Sequence, residues 1–230
     1  MSNDVVFLFD VDNTLLDNDR VQADLRDYLA REHGEPARDR YWAIFEELRA
    51  ELGYADYLGA LERLRLETLH DPRILRMASW LVDYPFALRL YPFALDVVAH
   101  VQQWGPTVIL SDGDAVFQPR KVDRAGLWSA VNGQVLIYVH KEQELDDVIR
   151  LFPARRYVMI DDKPRILHAI KSAWGDRVTT VLPRQGHYAT DPRTVGRYPP
   201  ADVQVERIGD LLGMDRAAFL GDEVSASGDA

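Results

Sequence analysis

The chain has 230 residues, of which 47% are hydrophobic and 28% are charged, so its composition excludes disordered and fibrous proteins and fits one domain with a smaller insertion. Its net charge of −10 argues against a general affinity for nucleic acid or for an anionic membrane, and we expect neither as a partner. The absence of cysteine excludes disulfides and thiolate chemistry, and without a membrane-spanning apolar run or a signal-peptide pattern we expect a cytoplasmic protein.

Five short apolar runs have the density that is typical of strands buried on both faces of a parallel sheet. Helical patterns separate the later runs: one places Pro92 in its first turn, and another begins at Pro164 and ends before Gly175. Strands that alternate with helices predict an α/β fold, here a Rossmann-like doubly wound parallel sheet. The predicted strands cover residues 5–9, 107–110, 135–139, 157–160 and 178–182.

The pattern is helical throughout between the first and second apolar runs, with apolar residues at helical spacing from Val21 to Tyr84. We expect this stretch to form a helical cap domain, called here the helical insertion (residues 19–91). The last ten residues are acidic and small, which is typical of a frayed terminus. The predicted parts are a core of residues 1–18 and 92–220, a cap of residues 19–91 with hinges near residues 16–19 and 89–91, and a disordered tail of residues 221–230.

Polar side chains follow four of the five predicted strands, at the point where each strand ends. In an open parallel sheet, ligands bind outside the carboxyl ends of the strands, so we expect these side chains to meet at one edge. The carboxylates among them would repel one another without a cation, and an all-oxygen ligand set suits Mg²⁺. Each group alone is explained equally well by a turn or a helix cap, but their joint placement favours an active site. In strand order, the residues are Asp10 and Asp12; Ser111, Asp112 and Gly113; Lys141; and Asp161 and Asp162.

These groups resemble, in order and in kind, the four sequence motifs of the haloacid dehalogenase (HAD) superfamily of hydrolases. The segment from Asp10 to Thr14 is similar to the first motif, an aspartate pair followed by a threonine. Lys141 is similar to the lysine of the third motif, whereas its rival Lys121 lies inside a predicted helix rather than after a strand. The helical insertion is similar to the C1-type cap that lies between the first two motifs. Ser111 stands at the second motif, and Asp161 and Asp162 stand at the fourth.

The resemblance implies that Asp10 attacks phosphorus and forms an aspartyl phosphate, which divides the hydrolysis into two easier steps. Asp12 would act as the general acid toward the leaving alcohol and then as the general base toward water. The dehalogenase members of the superfamily carry a different residue at the Asp12 position, because halide displacement needs no such acid. We therefore expect a hydrolase of small phosphorylated metabolites, with a sugar phosphomutase and a catalytically silent phosphate- or metal-binding protein as the alternatives.

The resemblance also implies a set of ligands for phosphate and for Mg²⁺. Ser111 and Lys141 would bind the transferring phosphoryl oxygens next to Asp10, helped by the backbone N–H groups near Asp112 and Gly113. These cationic and polar groups would supply the local attraction for an anion that a chain of net charge −10 otherwise lacks. The implied Mg²⁺ ligands are the Asp10 carboxylate, the Asp12 backbone carbonyl and the Asp162 carboxylate, with Asp161 behind them.

Overall fold

A computed structural model describes residues 3–220, and the predicted tail at residues 221–230 lies outside that range. Six strands form one sheet: β1 (Asn3–Phe9), β2 (Thr107–Asp112), β3 (Val135–Tyr138), β4 (Ala154–Ile160), β5 (Val178–Pro183) and β6 (Val203–Val205). Their order is β3-β2-β1-β4-β5-β6 and every neighbouring pair is parallel. The predicted Rossmann-like doubly wound sheet is therefore confirmed. The strand β6 was not predicted from the sequence, because three residues are too few to show a strand pattern.

The helices within residues 3–220 lie between these strands and, for the most part, where the apolar spacing placed them. Pro164 is the first residue of its helix and Gly175 follows the last, as predicted. The helix expected from Pro92 begins instead at Ala94, because Phe93 has a left-handed backbone (φ 67°) that interrupts the turn. The α-helices are α1 (Asn18–His33), α2 (Glu35–Leu52), α3 (Tyr57–Glu67), α4 (Ile74–Asp83), α5 (Ala94–Val101), α6 (Phe117–Arg124), α7 (Leu127–Ala130), α8 (Leu145–Leu151), α9 (Pro164–Trp174), α10 (Gly186–Thr190), α11 (Pro192–Val195) and α12 (Arg216–Leu220). The 3₁₀ helices cover Phe86–Arg89, Lys141–Gln143, Gly175–Arg177 and Ile208–Gly213.

The central strand β1 divides the apolar core into two layers. Val5, Phe7 and Phe9 pack on one face of the sheet with residues of α5, α6 and the helical insertion. Val6 and Leu8 pack on the other face with residues of α8 and α9. All five side chains are fully buried, as expected for a strand that has helices on both of its faces.

The helical insertion leaves the sheet after β1 and returns before β2, and its expected helical pattern is confirmed as α1 to α4. The two connecting segments lie side by side where the hinges were expected, with Leu16 bridging Leu90 in antiparallel fashion. The Asp17 N–H donates to the Arg89 carbonyl at 2.7 Å, and the Tyr91 N–H donates to the Leu15 carbonyl at 2.9 Å. The action of this unit as a movable cap stays a prediction.

The helices of the described range are short or amphipathic. Within residues 3–220, none of them combines the length and the apolar composition that crossing a membrane requires.

Candidate active site

The sheet order reverses between β1 and β4, and three carboxylates lie at this point. Asp10 directly follows β1, and Asp161 and Asp162 directly follow β4. All three are buried, and one carboxylate oxygen from each lies within 4.8 Å of those from the other two. The crevice at such a reversal is the usual ligand site of an open α/β sheet, so the fold concentrates acidic side chains where a ligand is expected.

Lys141 provides the central positive charge of this cluster. Its Nζ lies 2.5 Å from Asp10 Oδ1 and 2.7 Å from Asp161 Oδ2, and the side chain is fully buried. The Lys141 backbone N–H donates to Asp112 Oδ1 at 2.8 Å, which fixes the start of its 3₁₀ helix beside β2. Burial lowers the pKa of Lys141, but the charges of Asp10, Asp161 and Asp112 outweigh it and raise the pKa. Lys141 therefore remains an ammonium group at the end of β1.

Asp161 and Asp162, the two acids of the fourth motif, differ in their contacts and in the causes of their pKa shifts. Burial raises the pKa of Asp161 to about 6 against the opposing charge of Lys141, while burial and the charge of Asp161 raise the pKa of Asp162 well above 3.8. Both carboxylate oxygens of Asp162 are buried without a hydrogen-bond partner. A buried carboxylate without a hydrogen-bond partner is costly. The carboxylate oxygens of this cluster therefore fit a hard cation such as Mg²⁺.

Thr14 connects the first motif to the fourth. Its Oγ1 donates to Asp10 Oδ2 at 3.2 Å and accepts the Asp162 backbone N–H at 3.0 Å. The hydroxyl is a good fit here because it can donate and accept at the same time. Thr14 thus fixes the turns after β1 and β4 relative to each other.

Asp12 lies apart from the carboxylate cluster. Both of its oxygens accept hydrogen bonds from Lys121 Nζ, at 2.7 and 2.8 Å. The two lysines considered for the third motif therefore both reach the first motif, Lys141 at Asp10 and Lys121 at Asp12. The role expected for the Asp12 backbone carbonyl as a metal ligand stays a prediction.

The second-motif residues lie at the site, but Asp112 and Gly113 make contacts that were not expected. Ser111 is buried, and its Oγ accepts the Gln118 side-chain amide at 2.9 Å. The Gly113 N–H, expected to bind phosphate, donates to the Tyr138 carbonyl at 2.9 Å because pairing with β3 continues past the end of β2. The Asp112 carboxylate accepts the Lys141 N–H, so its contact supports Lys141 rather than an anion. In this structure, Gly113 thus has no free N–H to offer a phosphate.

A cavity of about 560 Å³ opens beside Asp12 and is lined by both the core and the helical insertion. Arg49 of α2 donates to the Tyr188 hydroxyl of α10 at the edge of this cavity, which joins the insertion to the core. Burial lowers the pKa of Lys163 at the cavity wall, but the charges of Asp10, Asp161 and Asp162 raise it by more. Four cationic side chains, three acidic ones and two histidines line the cavity, and the slight cationic excess favours an anionic ligand: Arg49, Lys163, Arg165 and Arg197; Asp12, Glu46 and Asp112; and His140 and His187.

Comparison with known protein families gives a match over residues 5–173 to the model of the haloacid dehalogenase-like hydrolases. The chain belongs to this family. The matched region includes the carboxylate cluster, both lysines and the whole helical insertion, so the resemblance to this superfamily is confirmed. The protein is accordingly a HAD-like hydrolase.

Solved structures of other HAD-like proteins share the fold. A haloacid dehalogenase-like hydrolase from Burkholderia xenovorans LB400 is 65% identical, with a TM-score of 0.88 over 93% of this chain and 99% of that one. The magnesium-bound HAD-hydrolase YfnB from Bacillus subtilis is 15% identical, with a TM-score of 0.60 over 92% and 98%. An L-2-haloacid dehalogenase from Xanthobacter autotrophicus, with chloropropionic acid covalently bound, is 21% identical, with a TM-score of 0.57 over 93% and 98%. The search among curated proteins found no match.

Two further lysines, Lys163 and Lys121, reach this HAD-like site. Lys163 directly precedes α9 and lines the cavity, and its Nζ lies 3.8 Å from Asp112 Oδ2. Lys121 was considered only as a rival for the third motif. One sequence signal was present for Lys121: it shares the buried face of α6 with Phe117 and Val122, where a charged side chain needs a partner.

Proposed function

We propose that this HAD-like protein is a Mg²⁺-dependent phosphomonoester hydrolase that acts on small phosphorylated metabolites. The observation that carries the proposal is the carboxylate cluster, in which Asp162 has two buried oxygens without a partner. Displacement of a halide by a carboxylate needs no cation at this place, whereas transfer of a phosphoryl dianion beside three acidic groups does. The cluster therefore supports phosphoryl transfer.

The chemistry would proceed in two steps on this chain's own residues. In the first, an Asp10 carboxylate oxygen attacks phosphorus, the bond from phosphorus to the alcohol oxygen breaks, and that oxygen takes a proton from Asp12. In the second, Asp12 takes a proton from water, the water oxygen attacks phosphorus, and the bond to Asp10 breaks. Inorganic phosphate leaves and both carboxyl groups return to their starting state.

The residues around Asp10 support the binding part of this proposal. Lys141 lies against the Asp10 carboxylate and Ser111 is buried at the end of the neighbouring strand, so both are within reach of a phosphoryl group at Asp10. Lys141 would exchange its bond to Asp10 for one to a phosphoryl oxygen, and keep those to Asp161 and to the Leu110 carbonyl. Asp10, Asp162 and the Asp12 carbonyl would hold Mg²⁺, with Asp161 bound to Lys141 behind them. When bound, the ion supplies positive charge beside the transferring group.

The cavity supports a small anionic substrate. Its volume of about 560 Å³ is in the range of sites for small molecules, and the slight cationic excess of its lining matches a phosphorylated compound. The helical insertion contributes Gln22, Arg49 and Tyr54 to the wall, so it can distinguish one leaving group from another. We propose this discrimination as the role of the insertion.

A dehalogenase is the second candidate, because L-2-haloacid dehalogenases occur among the structures that share the fold. At 17 to 22% identity these structures show the fold alone. Asp12 separates the two candidates: an acid beside the cavity serves an alkoxide leaving group, while a halide departs without a proton.

The test is a parallel measurement of phosphate and chloride release. We expect phosphate release from members of a phosphomonoester panel with Mg²⁺, its loss in excess chelator, and no chloride release from 2-chloropropionate. Chloride release without any phosphate release would establish the dehalogenase instead. Transfer of phosphate to a second sugar hydroxyl, rather than to water, would identify a phosphomutase.

A further inference from the structure

Lys121 is a fully buried lysine that the proposed chemistry does not use. It projects from α6 between two aromatic rings, with Nζ 5.4 Å from the centre of the Phe117 ring and 5.8 Å from that of Tyr57. Removing an ammonium group from water is costly, so a lysine as buried as this one is retained only with good partners. Its partners therefore indicate what it does.

All three N–H donors of Lys121 have an acceptor. Two are the carboxylate oxygens of Asp12, at 2.7 and 2.8 Å, and the third is Asn18 Oδ1 at 3.1 Å. An ammonium group has three donors, so this arrangement leaves none for a substrate. Lys121 is thus fully committed to protein groups and is not itself a phosphate ligand in this structure.

The Asp12 carboxylate is held on one side and open on the other. Lys121 grips both oxygens from the buried side, while the Asp12 side chain is 25% exposed and lines the cavity. A carboxylate without such a contact would be free to rotate about its side-chain bonds. The grip on both oxygens fixes the group in one orientation at the cavity wall.

The helical insertion supports this grip through a second layer of contacts. The Asn18 amide donates to the Tyr57 hydroxyl at 3.4 Å, and Gln22 donates to the same hydroxyl at 3.1 Å. Tyr57, the first residue of α3, is buried, and the centre of its ring lies 4.9 Å from that of the Phe117 ring. Lys121 is therefore held by groups from both parts of the protein.

We propose that Lys121 is a positioning residue that aims the Asp12 carboxyl group at the leaving oxygen of the substrate. The inference rests on the proposed phosphatase activity and deepens it. Proton transfer requires the donor within hydrogen-bond reach of the leaving oxygen, so a misdirected Asp12 slows the departure of the alcohol. Hydrolysis should slow for esters whose alcohol would leave as an unstable alkoxide. It should slow much less for esters whose leaving group is a stable anion.

The test compares two substrates in the same variant. 4-Nitrophenyl phosphate releases a stable phenolate that needs no proton, whereas an alkyl phosphate needs one. The first half-reaction determines kcat/KM, so the later step that is common to both esters does not obscure the comparison. In Lys121→Met we expect kcat/KM for the alkyl ester to fall at least about 10-fold more than for the nitrophenyl ester. Equal losses with both esters would overturn the inference.

Three further variants separate positioning from general damage. Lys121→Arg keeps the charge, so its loss of kcat/KM for the alkyl ester relative to the nitrophenyl ester should be smaller than that of Lys121→Met. Lys171→Met is a matched control, because Lys171 pairs with Asp202 away from the cavity, and it should leave the ratio of the two esters unchanged. The double variant Lys121→Met, Asp12→Asn should lose no more than Asp12→Asn alone, since both act through one carboxyl group. Additive losses in the double variant would contradict the proposal.

The outcomes also distinguish this inference from the function it rests on. If the unchanged protein hydrolyses no phosphomonoester, the proposed function fails and the inference fails with it. If the unchanged protein is active and the ratio of the two esters does not respond to Lys121, the inference alone is wrong. Should Lys121→Met not fold, Lys121→Gln tests the same ratio with a neutral side chain that can still donate to one oxygen.

Discussion

Two buried lysines divide the carboxylates of the first motif between them. Lys141 pairs with Asp10 and Lys121 with Asp12, so each aspartate has its own counter-charge and its own environment. Asp10 is almost fully buried, while Asp12 remains partly exposed at the cavity. The different surroundings suit the different tasks that we propose, nucleophilic attack for Asp10 and proton transfer for Asp12.

The first prediction concerns these two tasks. Asp10→Asn should abolish phosphate release, because an amide cannot form the acyl phosphate, while the fold survives. Asp12→Asn should reduce turnover about 10²- to 10⁴-fold and let phosphoenzyme accumulate, because the second step loses its base. Steady-state assays and intact-protein mass spectrometry measure both effects. Normal turnover in Asp10→Asn would exclude the covalent route.

The second prediction uses the contrast between the adjacent acids of the fourth motif. Asp162 has no partner for its oxygens, so Asp162→Asn should raise the free energy of unfolding in metal-free buffer by about 1–3 kcal/mol. The same change should abolish the stabilisation that Mg²⁺ gives the unchanged protein. Asp161 is paired with Lys141, so Asp161→Asn should instead destabilise the metal-free protein.

Chemical denaturation with and without Mg²⁺ checks the contrast between the two variants. A loss of metal-free stability in Asp162→Asn would show that the carboxylate already has a favourable environment, and the metal assignment would then lose its support. Asp161→Asn serves as the internal control, since it removes the same charge one residue away.

At the scale of single elements, the turn from β5 into α10 determines how closely the first motif is packed. Gly186 has a left-handed backbone (φ 67°), and a Cβ there would lie 2.4 Å from the Asn13 Cβ. The following residue, His187, donates its N–H to Asp19 Oδ2 at 3.0 Å. This turn is therefore in close contact with Asn13, the residue that follows Asp12.

The third prediction follows from that close approach. Gly186→Ala should destabilise the protein by at least about 2 kcal/mol, because it adds steric overlap to an unfavourable backbone. Gly126→Ala is the matched control: its backbone is also left-handed (φ 80°), but no atom lies within 4 Å of the added Cβ, so only about 1 kcal/mol is expected. Thermal unfolding compares the two, and equal losses would contradict the packing argument.

The helix α1 is tied to the returning segment of the insertion by Asp24. Its Oδ2 accepts hydrogen bonds from Arg89 Nε at 2.9 Å, from Arg89 Nη2 at 2.6 Å and from the Tyr84 hydroxyl. Burial raises the pKa of Asp24, but the bonds from Tyr84 and Arg89 outweigh it and lower the pKa below 3.8. The carboxylate therefore stabilises the fold in its charged form.

The fourth prediction is the pH dependence of that stabilisation. Asp24→Asn should lower the free energy of unfolding by about 1–2 kcal/mol at neutral pH. Because the folded pKa lies below the unfolded one, the difference should persist above about pH 4 and shrink as the pH falls through the lowered pKa. Urea titrations from pH 2.5 to 7 measure it. The exposed pair of Asp39 and Arg38 provides a control, and Asp39→Asn should have little effect.

Particular elements show what the sequence could and could not predict. Five strands and the start and end of α9 follow from local apolar spacing and from proline and glycine, so they were predictable. The start of α5 depends on the left-handed backbone of Phe93, which side-chain type does not favour. The order of the strands, including β6 at the edge, depends on long-range pairing that no local pattern contains.

The site divides in the same way. Asp10, Lys141, Asp161 and Asp162 were predictable because parallel strands bring their carboxyl ends to one edge. The pairing of Lys121 with Asp12 was not, because it depends on the rotation of α6 against the turn after β1. The hydrogen bond of the Gly113 N–H was not predictable either, because it depends on how far the pairing of β2 with β3 continues.

At the scale of the whole molecule, the insertion and the sheet share one apolar core. Residues of α1 to α4 belong to the same buried cluster as Val5, Phe7 and Phe9 of β1. The contact runs through Tyr57 of the insertion and Phe117 of α6, whose ring centres are 4.9 Å apart. Shared burial of this kind makes the two parts depend on each other for stability.

The fifth prediction is that the protein unfolds in a single transition. Trp42 and Trp80 lie in the insertion, while Trp104, Trp128 and Trp174 lie outside it, so variants that keep only one group report on each part separately. The denaturation midpoints of the two reporters should coincide with each other and with circular dichroism. Midpoints that differ beyond error would mean that the insertion is an independent folding unit.

The side-by-side arrangement of the two connecting segments, with Leu16 against Leu90, has an evolutionary consequence. Because the chain departs and returns at one place, a change of length between these segments need not move β1 relative to β2. If the insertion selects the substrate as we propose, mutation and recombination in that stretch can change which molecules enter the cavity, while the proposed reacting groups stay in register. Descendants of such a protein can thus acquire new substrates without having to reinvent the chemistry.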